Sequence, residues 1–464
     1  MAALLAPDIL ELLEEDPSSV ALETEEMHPA DLADVAEALP EERLVAFLTA
    51  LPTARAADVL EYLSEDLRSL ALEAMSTRQA AALVTEMTPD DRADVLEELE
   101  EDRAEEILQE IPAEARAETE ALLQYEPDSA GGRMTTEFVS APEAITVEEA
   151  LHRVRVLARS ERREALYTVY TTDAAGRLLG VLSLRELLAA PEGAHLAEVA
   201  WTEVQTVLPT APQSDVVRLA SDYDLVAVPV VDATRRLLGV VTVDDVIDAI
   251  EEEQTEDVQK LGGMEALDEP YMQIGFGAML RKRAGWLSIL MVSEMFTTSA
   301  LQHYDVELAK AAVLQLFIPL VMSSGGNSGS QSTSLITRAM ALDEVRLGDW
   351  WRVARRELPS GMALGTILGA IAIVRILIWQ HFGWYDYTMK HHTSIGHVAA
   401  TIACALVGIV TFGSMTGSML PFLLRRLGYD PASASAPFVA TLVDVTGLII
   451  YFNVALLFLR GTLL

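Results

Sequence analysis

The sequence predicts a multidomain protein with an acidic, largely helical N-terminal half and a five-helix α transmembrane domain at its C-terminus. Three observations lead to this prediction. The chain has 464 residues, which is too long for a single hydrophobic core. Up to about residue 125, apolar side chains recur every three or four positions, as in amphipathic helices. After Arg281 the chain contains apolar runs long enough to span a bilayer, such as PFVATLVDVTGLIIYFNVALLF at residues 437–458.

We expect four successive segments, which differ in periodicity and composition. They are an α-helical superhelical N-domain at 1–129, a tandem α/β unit at 130–250, an acidic connector helix at 251–276 and the membrane domain at 277–464. The α/β unit divides into two copies at about 130–192 and 193–250.

The charge balance limits the classes of partner. The chain has 33 Lys and Arg against 71 Asp and Glu, a net charge of -38, which argues against nucleic acid or anionic lipid as a partner. Such an excess suits a protein that collects cations. The single Cys404 lies in an apolar run, so an intrachain disulfide and a thiol metal site are excluded. The N-terminus has no basic stretch followed by an apolar core, so we expect the N-terminal half not to be exported.

The N-terminal 125 residues contain loosely repeated helical phrases. HPADLADVAEALP, TARAADVLEYLS and TPDDRADVLEELE each begin with a cap-like polar residue and continue with Leu or Val at the buried positions. Units of this kind stack into a superhelix, because one unit cannot bury its own apolar face. The exposed faces are crowded with acids, which either form a solvated surface or bind divalent cations with oxygens from another domain.

The next segment alternates short β-branched strands with amphipathic helices, and the scheme occurs twice. LLGVLSLRELL at 178–188 and LLGVVTVDDVI at 237–247 mark equivalent strand–strand–helix endings. This pattern resembles a tandem pair of CBS domains, which implies a regulatory module and not a catalytic one. The acidic stretch IEEEQTEDVQK at 250–260 follows, ended by Gly262 and Gly263, and we expect it to link this module to the membrane half.

Five membrane spans are predicted, at about 284–301, 311–340, 362–379, 398–424 and 434–458. Basic residues cluster before the first span, between the second and third, and between the fourth and fifth. The positive-inside rule therefore places the N-terminus in the cytoplasm and the C-terminus outside, in a multi-pass protein of the cell membrane.

Asp444 lies near the middle of the last span. An ionised Asp there costs roughly 2.5–3.5 kcal/mol on insertion scales, so it normally faces a water-filled path or a partner. The alternative is a structural Asp that bonds to a neighbouring helix through Thr441 or Thr446. Glu294, in the first span, is likewise either a bonded structural residue or a neighbour of the pore.

The second span is interrupted by SSGGNSGSQS at 323–332, which predicts irregular backbone that lines a water-filled cavity. Gly325 and Gly326 permit close backbone approach, and Asn327 and Gln331 supply neutral oxygens. Together with Asp444 these groups form a set of hard oxygen ligands, which disfavours soft metals. Mg²⁺ keeps several waters and binds through one or two carboxylates, so it suits such a site, although Ca²⁺ or Mn²⁺ would also fit.

The chain resembles the MgtE family of magnesium channels. The resemblance rests on the stretches GGNSGSQS, PFLLRRLGYDP and PFVATLVDVTGLIIYF and on the order of the four segments. The resemblance implies a homodimer with the pore at the subunit interface and Asp444 as the ion-selecting carboxylate. It also implies that cytoplasmic Mg²⁺ closes the pore by binding acids that correspond to Asp58, Asp90, Asp94, Asp224, Asp245, Asp248, Glu253, Glu256, Asp257 and Asp430. The chain departs from the family at Pro212 and Ser214, which stand where the family has acids of a regulatory site. Arg185 matches a residue of the family's nucleotide pocket, so the resemblance also makes ATP a candidate ligand.

Two other functions compete with a channel. A secondary transporter driven by protons or Na⁺ would use Asp444 as its proton site, although the five spans show no inverted repeat. An intramembrane enzyme would need paired acids or a nucleophile–base pair in its spans, and the sequence offers neither.

Overall fold

The computed structural model describes residues 2–159, 165–191, 193–267, 271–272, 274–310, 312–387 and 394–460. The described residues form two compact units, which divide between Glu252 and Glu253.

The first unit begins with ten short helices that alternate between two rows. Odd-numbered helices pack against odd-numbered ones, and even-numbered against even-numbered ones, as expected for a stacked superhelix. One continuous apolar core, with Phe47, Leu60 and Leu72 fully buried, runs through the stack. The helices are α1 (Ala2–Glu15), α2 (Pro17–Glu23), α3 (Pro29–Glu37), α4 (Glu41–Ala50), α5 (Thr53–Glu61), α6 (Glu65–Ala74), α7 (Thr77–Glu86), α8 (Pro89–Glu97), α9 (Glu101–Glu110) and α10 (Ala113–Leu122).

Arginines near the start of several helices hold the carboxyl ends of earlier helices. The last carbonyls of a helix have no partner within it and carry partial negative charge, which a guanidinium satisfies. Arg92 is the most buried example, at 0% exposure, and it donates to Val84 O at 3.0 Å and Met87 O at 2.8 Å, at the end of α7. Arg55, Arg103 and Arg116 act in the same way on Glu25, Met75 and Ile111. These contacts fix the helix ends of the stack.

A repeated α/β unit follows the helical stack. In the first copy β1 and β2 are parallel and β2 and β3 antiparallel, while β4 and β5 of the second copy form an antiparallel pair. The predicted strand–strand–helix ending occurs in both copies, as β2–β3–α12 and β4–β5–α15. The elements are β1 (Phe138–Pro142), α11 (Val147–Leu157), β2 (Ala165–Thr172), β3 (Leu178–Ser183), α12 (Leu184–Ala189), α13 (Leu196–Val199), α14 (Gln213–Tyr223), β4 (Ala227–Val231), β5 (Leu237–Thr242) and α15 (Val243–Leu261).

The acidic stretch at 250–260 is not a separate helix. It is the second half of α15, which begins at Val243 directly after β5. The boundary between the two units falls inside this helix. Gly263 adopts the left-handed conformation, with φ of 78°, and ends the helical path.

In the second unit every regular element among the described residues is a helix, beginning with the end of α15. Its further elements are α16 (Phe276–His303), α17 (Asp305–Lys310), α18 (Ala312–Gln315), α19 (Ile318–Ala341), α20 (Trp350–His381), α21 (Ile395–Leu427) and α22 (Ala436–Leu459), with short 3-10 turns at Leu347–Asp349 and Pro431–Ser433.

Among the described residues, four segments are long and apolar enough to cross a membrane: Phe276–His303, Leu347–His381, Ile395–Leu427 and Ala436–Leu459. They correspond to four of the five predicted spans. The fifth, our second span, corresponds to α19, whose Gly, Ser, Asn and Gln residues make it too polar to qualify. The count of five is therefore not confirmed, and the predicted start of that span, Ala311, lies outside the described residues.

The predicted backbone break at 323–332 is wrong, because α19 is one continuous helix of 24 residues. Its small residues bring it close to α21 instead of unwinding it. A Cβ at Gly329 would lie 2.7 Å from Val439 and 3.1 Å from Gly413 O. The hydroxyls of Ser328 and Ser414 are 2.7 Å apart across the same contact. Helices that meet in a membrane pack through small residues and hydroxyl hydrogen bonds in this way.

We predict that Arg92→Met lowers the free energy of unfolding of a soluble fragment ending at Leu261 by roughly 2–4 kcal/mol, because buried carbonyls lose their donor. Urea denaturation of the fragment measures this. Arg78→Met is the matched control, since Arg78 is exposed on α7, and it should change stability by less than about 0.5 kcal/mol. Equal effects of the two substitutions would show that the buried guanidinium does not hold the helix ends.

Candidate functional site

Carboxylates from three helices come together in the first unit. Glu61 ends α5, Asp90 and Asp91 lie in the first turn of α8, and Asp244 and Asp245 lie in the first turn of α15. Acids in a first helical turn are stabilised by the free N–H groups there, which explains their place in each sequence. Their charges interact, since Asp91 and Asp90 act on Glu61, and Asp90, Asp244 and Asp91 act on Asp245. We call these five residues the α5/α8/α15 acid cluster.

Burial makes this cluster unfavourable in its charged form. Burial raises the pKa of Glu61 to about 8, with further contributions from Asp91, Asp58 and Asp90. Burial also raises the pKa of Asp90 to about 7 and holds that of Asp245 well above its usual range. Among the residues that the structure describes, one oxygen of Asp90, itself only 5% exposed, is buried without a hydrogen-bond partner. The negative charges of these carboxylates therefore oppose one another.

Two largely buried arginines act on the acids of this region. Arg68 Nε donates to Glu98 Oε2 at 2.8 Å, and Arg133 pairs with Glu252. Both guanidinium groups lower the pKa of Asp94, but burial outweighs them and raises that pKa to about 6. Arg68 also acts to lower the pKa of Glu61 and Asp91, but burial outweighs it there too, so the arginines offset the repulsion only in part.

Most of the acids that we predicted in the first unit belong to this region. Asp90 and Asp245 are members of the cluster, Asp58 acts on Glu61, and Asp94 acts on Asp90. Asp248 lies next to the Arg133–Glu252 pair. Asp224 is different: it is exposed at the end of α14, with φ of 51°, and no described contact joins it to the cluster.

Sequence reasoning did not select Glu61, Asp91 or Asp244. Asp91 and Asp244 are immediate neighbours of Asp90 and Asp245, so doubled acids at a helix start were a usable signal. Glu61 gave none, because its approach to Asp90 and Asp91 of α8 depends on the tertiary fold.

A second group of acids lies in the second unit, on the end of α15 and before the Pro431–Ser433 turn. All four predicted residues belong to it: Glu253, Glu256, Asp257 and Asp430. Asp430 caps the turn, accepting from Ala432 N at 2.8 Å. Burial raises the pKa of Glu253 to about 7, with Asp257, Glu256 and Asp430 adding to the effect. We call these four residues the connector acid cluster.

Lys260 lies inside the connector acid cluster. Its Nζ is 2.7 Å from Asp430 Oδ2 and 2.6 Å from Glu256 Oε1. Burial acts to lower the pKa of Lys260, but the hydrogen bonds to Asp430 and Glu256 raise it overall. The sequence analysis had not selected this residue.

The predicted pore residues fall on two faces of α19. Gly325 and Gly326 are buried, whereas Asn327 and Gln331 are exposed one turn apart on the opposite face. Asn327 Nδ2 lies 3.4 Å from Ser323 Oγ on the same face. The exposed face of α19 is therefore polar.

Asp444 is partly buried in the middle of α22. In the described part of the chain no hydrogen bond reaches its carboxylate, and Thr441 and Thr446 donate to Pro437 O and Leu442 O of their own helix. The structural alternative, in which these threonines join Asp444 to a neighbouring helix, has no support in these contacts. The Glu294 carboxylate lies within electrostatic range of Asp444.

The packing of α19 on α22 shows which part of α19 lies at the same height as Asp444 along the helix axes. A Cβ at Gly326 would lie 3.3 Å from the Ala440 side chain, and one at Gly447 would lie 3.4 Å from Met322. Asp444 lies between Ala440 and Gly447, so it is level with the N-terminal part of the polar α19 face.

Among the described residues, no three His, Cys, Asp or Glu side chains converge into a ready-made metal site. The chemistry of the clusters still favours a hard cation, because the donors are carboxylate oxygens without thiols or imidazoles. Mg²⁺ retains much of its water shell and can bridge carboxylates that do not all touch it.

Family models match the helical stack, both α/β copies and most of the membrane unit. A family model described as "Divalent cation transporter", MgtE, matches residues 318–454. The model of the MgtE intracellular N domain matches residues 27–128, and the CBS domain model matches 130–193 and 196–252.

Two curated relatives are named "Magnesium transporter MgtE". The protein from Thermus thermophilus is 42% identical over 345 residues, which cover 74% of this chain and 73% of the relative. The protein from Enterococcus faecalis is 34% identical over 343 residues, which cover 74% of this chain and 72% of the relative.

Two solved structures are similar to about half of the chain. One is the soluble part of a magnesium transporter, with 31% identity and a TM-score of 0.51, covering 55% of this chain and 99% of that chain. The other is the cytosolic domain of the Mg²⁺ channel MgtE in complex with ATP, with 38% identity and a TM-score of 0.50, covering 52% of this chain and 99% of that chain.

The raised pKa values predict how stability depends on pH. Glu61 and Asp90 bind protons more tightly when folded, so their contribution is present at low pH and is lost as the pH rises through about 7–8. We expect the melting temperature of the soluble fragment in EDTA to fall between about pH 5 and about pH 8.5.

Asp90→Asn should raise the melting temperature at the upper end of that range and flatten the pH dependence, since it removes one buried charge. Asp31→Asn, also in the first turn of a helix (α3) but exposed, is the control and should change neither. A melting temperature that rises with pH in EDTA would contradict the account of the cluster.

Proposed function

We propose that this chain, which belongs to the MgtE family of divalent cation transporters, is a Mg²⁺ channel that cytoplasmic Mg²⁺ closes. The cargo is inferred from the relatives, which are named magnesium transporters. The channel mechanism and the gate rest on the arguments that follow.

One observation carries the proposal: within the described part of the chain, Asp444 is a carboxylate without a hydrogen-bond partner in the middle of an apolar helix. Keeping it there costs roughly 2.5–3.5 kcal/mol, which a permeating cation or water would offset. A single carboxylate per chain binds a hydrated Mg²⁺ through the water shell and weakly enough to release it.

We further propose that α19 also crosses the membrane, which brings the number of membrane helices to five. Its buried face packs on α21 and α22, which both qualify as spans. Its other face carries Ser323, Asn327 and Gln331, which would be unfavourable against lipid. A homodimer that joins these faces would shield them and surround a path with Asp444, while Gly325 and Gly326 allow the close approach of α22.

The gate is proposed to consist of the two acid clusters. Residues 1–276 contain 61 acidic and 19 basic residues, whereas residues 277–464 contain 10 and 14, so nearly all of the excess negative charge lies before the membrane. Two carboxylates about 6 Å apart at an effective dielectric of about 20 repel by roughly 3 kcal/mol. Mg²⁺ removes this repulsion and so favours the state in which the carboxylates approach.

Closure requires several ions. Moving a two-state gate from 1:99 to 99:1 takes about 5.5 kcal/mol, and one site at ten times its dissociation constant supplies about 1.4 kcal/mol. Roughly four sites are needed, so closure is cooperative in Mg²⁺. The candidate ligands are Asp58, Asp90, Asp94, Asp245 and Asp248 in the first unit and Glu253, Glu256, Asp257 and Asp430 in the second, with Asp224 as a separate, exposed candidate.

The remaining assignments follow from the same proposal. The basic residues near the ends of the spans place the N-terminus in the cytoplasm and the C-terminus outside. Arg185, exposed at the start of α12, keeps ATP as a candidate ligand of the first CBS copy, since a related cytosolic domain was solved with ATP.

A proton-coupled transporter is the second candidate function. The observation that favours it is the Glu294 carboxylate near Asp444, because paired intramembrane acids can carry protons. Mg²⁺ flux into liposomes separates the two: channel flux follows the Mg²⁺ gradient alone, whereas coupled flux changes with an imposed pH or Na⁺ gradient.

Asp444→Asn should abolish Mg²⁺ uptake by liposomes that contain the purified protein, or lower it by at least about tenfold, because the path loses its deep carboxylate. Asp305→Asn, an exposed acid in α17, is the control and should conduct normally. Normal uptake by folded Asp444→Asn protein would remove Asp444 from the ion path.

The gate is tested by changing Asp245, Asp248 and Asp257 together to Ala. We expect flux at low cytoplasmic Mg²⁺ to be retained and inhibition by millimolar Mg²⁺ to be lost, because acids of both clusters are missing. Flux is measured at a fixed gradient while Mg²⁺ is varied on the cytoplasmic side. Wild-type inhibition of the triple variant would show that these acids only solvate the surface.

A further inference from the structure

We propose that Lys260 is a tethered cation that competes with Mg²⁺ for the connector acid cluster and so sets the Mg²⁺ concentration at which the channel closes. The inference rests on the proposed function, since it concerns the same gate. It assigns a role to a residue that the family resemblance and the sequence analysis had not selected.

The contacts of Lys260 are those of a cation in an acidic site. Its ammonium group lies within 2.7 Å of both Glu256 and Asp430, which belong to different segments of the second unit. Its side chain is 24% exposed, against 46% for Glu256 and 38% for Asp430, so the positive charge is the more enclosed partner. Lys260 also acts on the charges of Glu253 and Asp257.

A lysine at this position has two effects on a divalent ion. It occupies lone pairs of Glu256 and Asp430 that Mg²⁺ would use, and it repels the ion from the remaining carboxylates. Because the ammonium group is covalently attached to α15, its local concentration at the cluster does not depend on the ionic composition of the solution. Mg²⁺ must therefore displace Lys260 before it can bind these four acids together.

The expected size of the effect follows from the number of sites. Removing the charge should raise the Mg²⁺ affinity of this cluster by roughly tenfold, a conservative figure for one nearby positive charge. Because roughly four sites contribute to closure, the midpoint of the transition falls only by about the fourth root of this factor, or about twofold.

The experiment uses the full-length protein in detergent and in liposomes, with MgCl₂ as the probe. Lys260→Gln should lower the Mg²⁺ concentration for half-maximal protection from proteinase K about twofold, and the concentration for half-maximal inhibition of flux by the same factor. Lys260→Arg keeps the charge and should behave as the wild type. Arg426→Gln, which removes an exposed charge four residues before Asp430, is the control for net charge and should leave the midpoint unchanged.

Asp430→Asn completes the set, because Lys260 acts largely through this carboxylate. Asp430→Asn alone should raise the midpoint, and adding Lys260→Gln to it should lower the midpoint by less than Lys260→Gln does alone. Such non-additivity is expected of residues in direct contact.

Two results would overturn the inference. A midpoint that rises or stays unchanged in Lys260→Gln would mean that the lysine ties α15 to the Asp430 loop and does not compete with the metal. A midpoint that falls equally in Arg426→Gln would mean that only net charge matters. Failure of the proposed function is distinguishable, since wild-type liposomes would then take up no Mg²⁺ while the protease midpoints would still respond to Lys260.

Discussion

Mutual repulsion between buried carboxylates is the constraint on which the rest of this structure depends. Glu61, Asp90 and Asp245 come from three separate helices, and burial raises the pKa of each. An isolated buried charge normally acquires a partner or a proton, because removing it from water is expensive. The two arginines near these acids offset the repulsion only in part, and we propose that a divalent cation supplies the remaining positive charge. The same logic holds in the connector cluster, where Lys260 supplies part of that charge.

The scaffold tolerates this repulsion because its rigidity has other sources. In the helical stack, guanidinium groups such as that of Arg92 hold the helix ends while an apolar core fills the interior. In the membrane unit, small residues bring α19 against α21, and Ser328 meets Ser414 in the contact. Neither device involves the acidic clusters. We propose that their carboxylates move between repelled and bridged arrangements while the surrounding fold is kept.

The sequence was informative where local pattern decides structure and less so where tertiary contacts decide it. Helical periodicity predicted the N-terminal stack, and the repeated strand–strand–helix endings predicted the α/β copies. The SSGGNSGSQS stretch was misread as a break, because small residues in a helix signal either unwinding or close packing and only the neighbouring Gly413 distinguishes them. Glu61 and Lys260 were not predicted as site residues, because Asp90 and Asp430, with which they interact, are distant in sequence and only the tertiary fold brings them together.

The central claim is that cytoplasmic Mg²⁺ closes the path by bridging these acids. The most direct test records current through single channels in a planar bilayer while Mg²⁺ is raised on the cytoplasmic face alone. The account predicts a steep loss of open probability, with a Hill coefficient well above 1 and toward about 4, and no such loss when Mg²⁺ is raised on the opposite face. Open probability that is independent of cytoplasmic Mg²⁺, or equal inhibition from both faces, would contradict it.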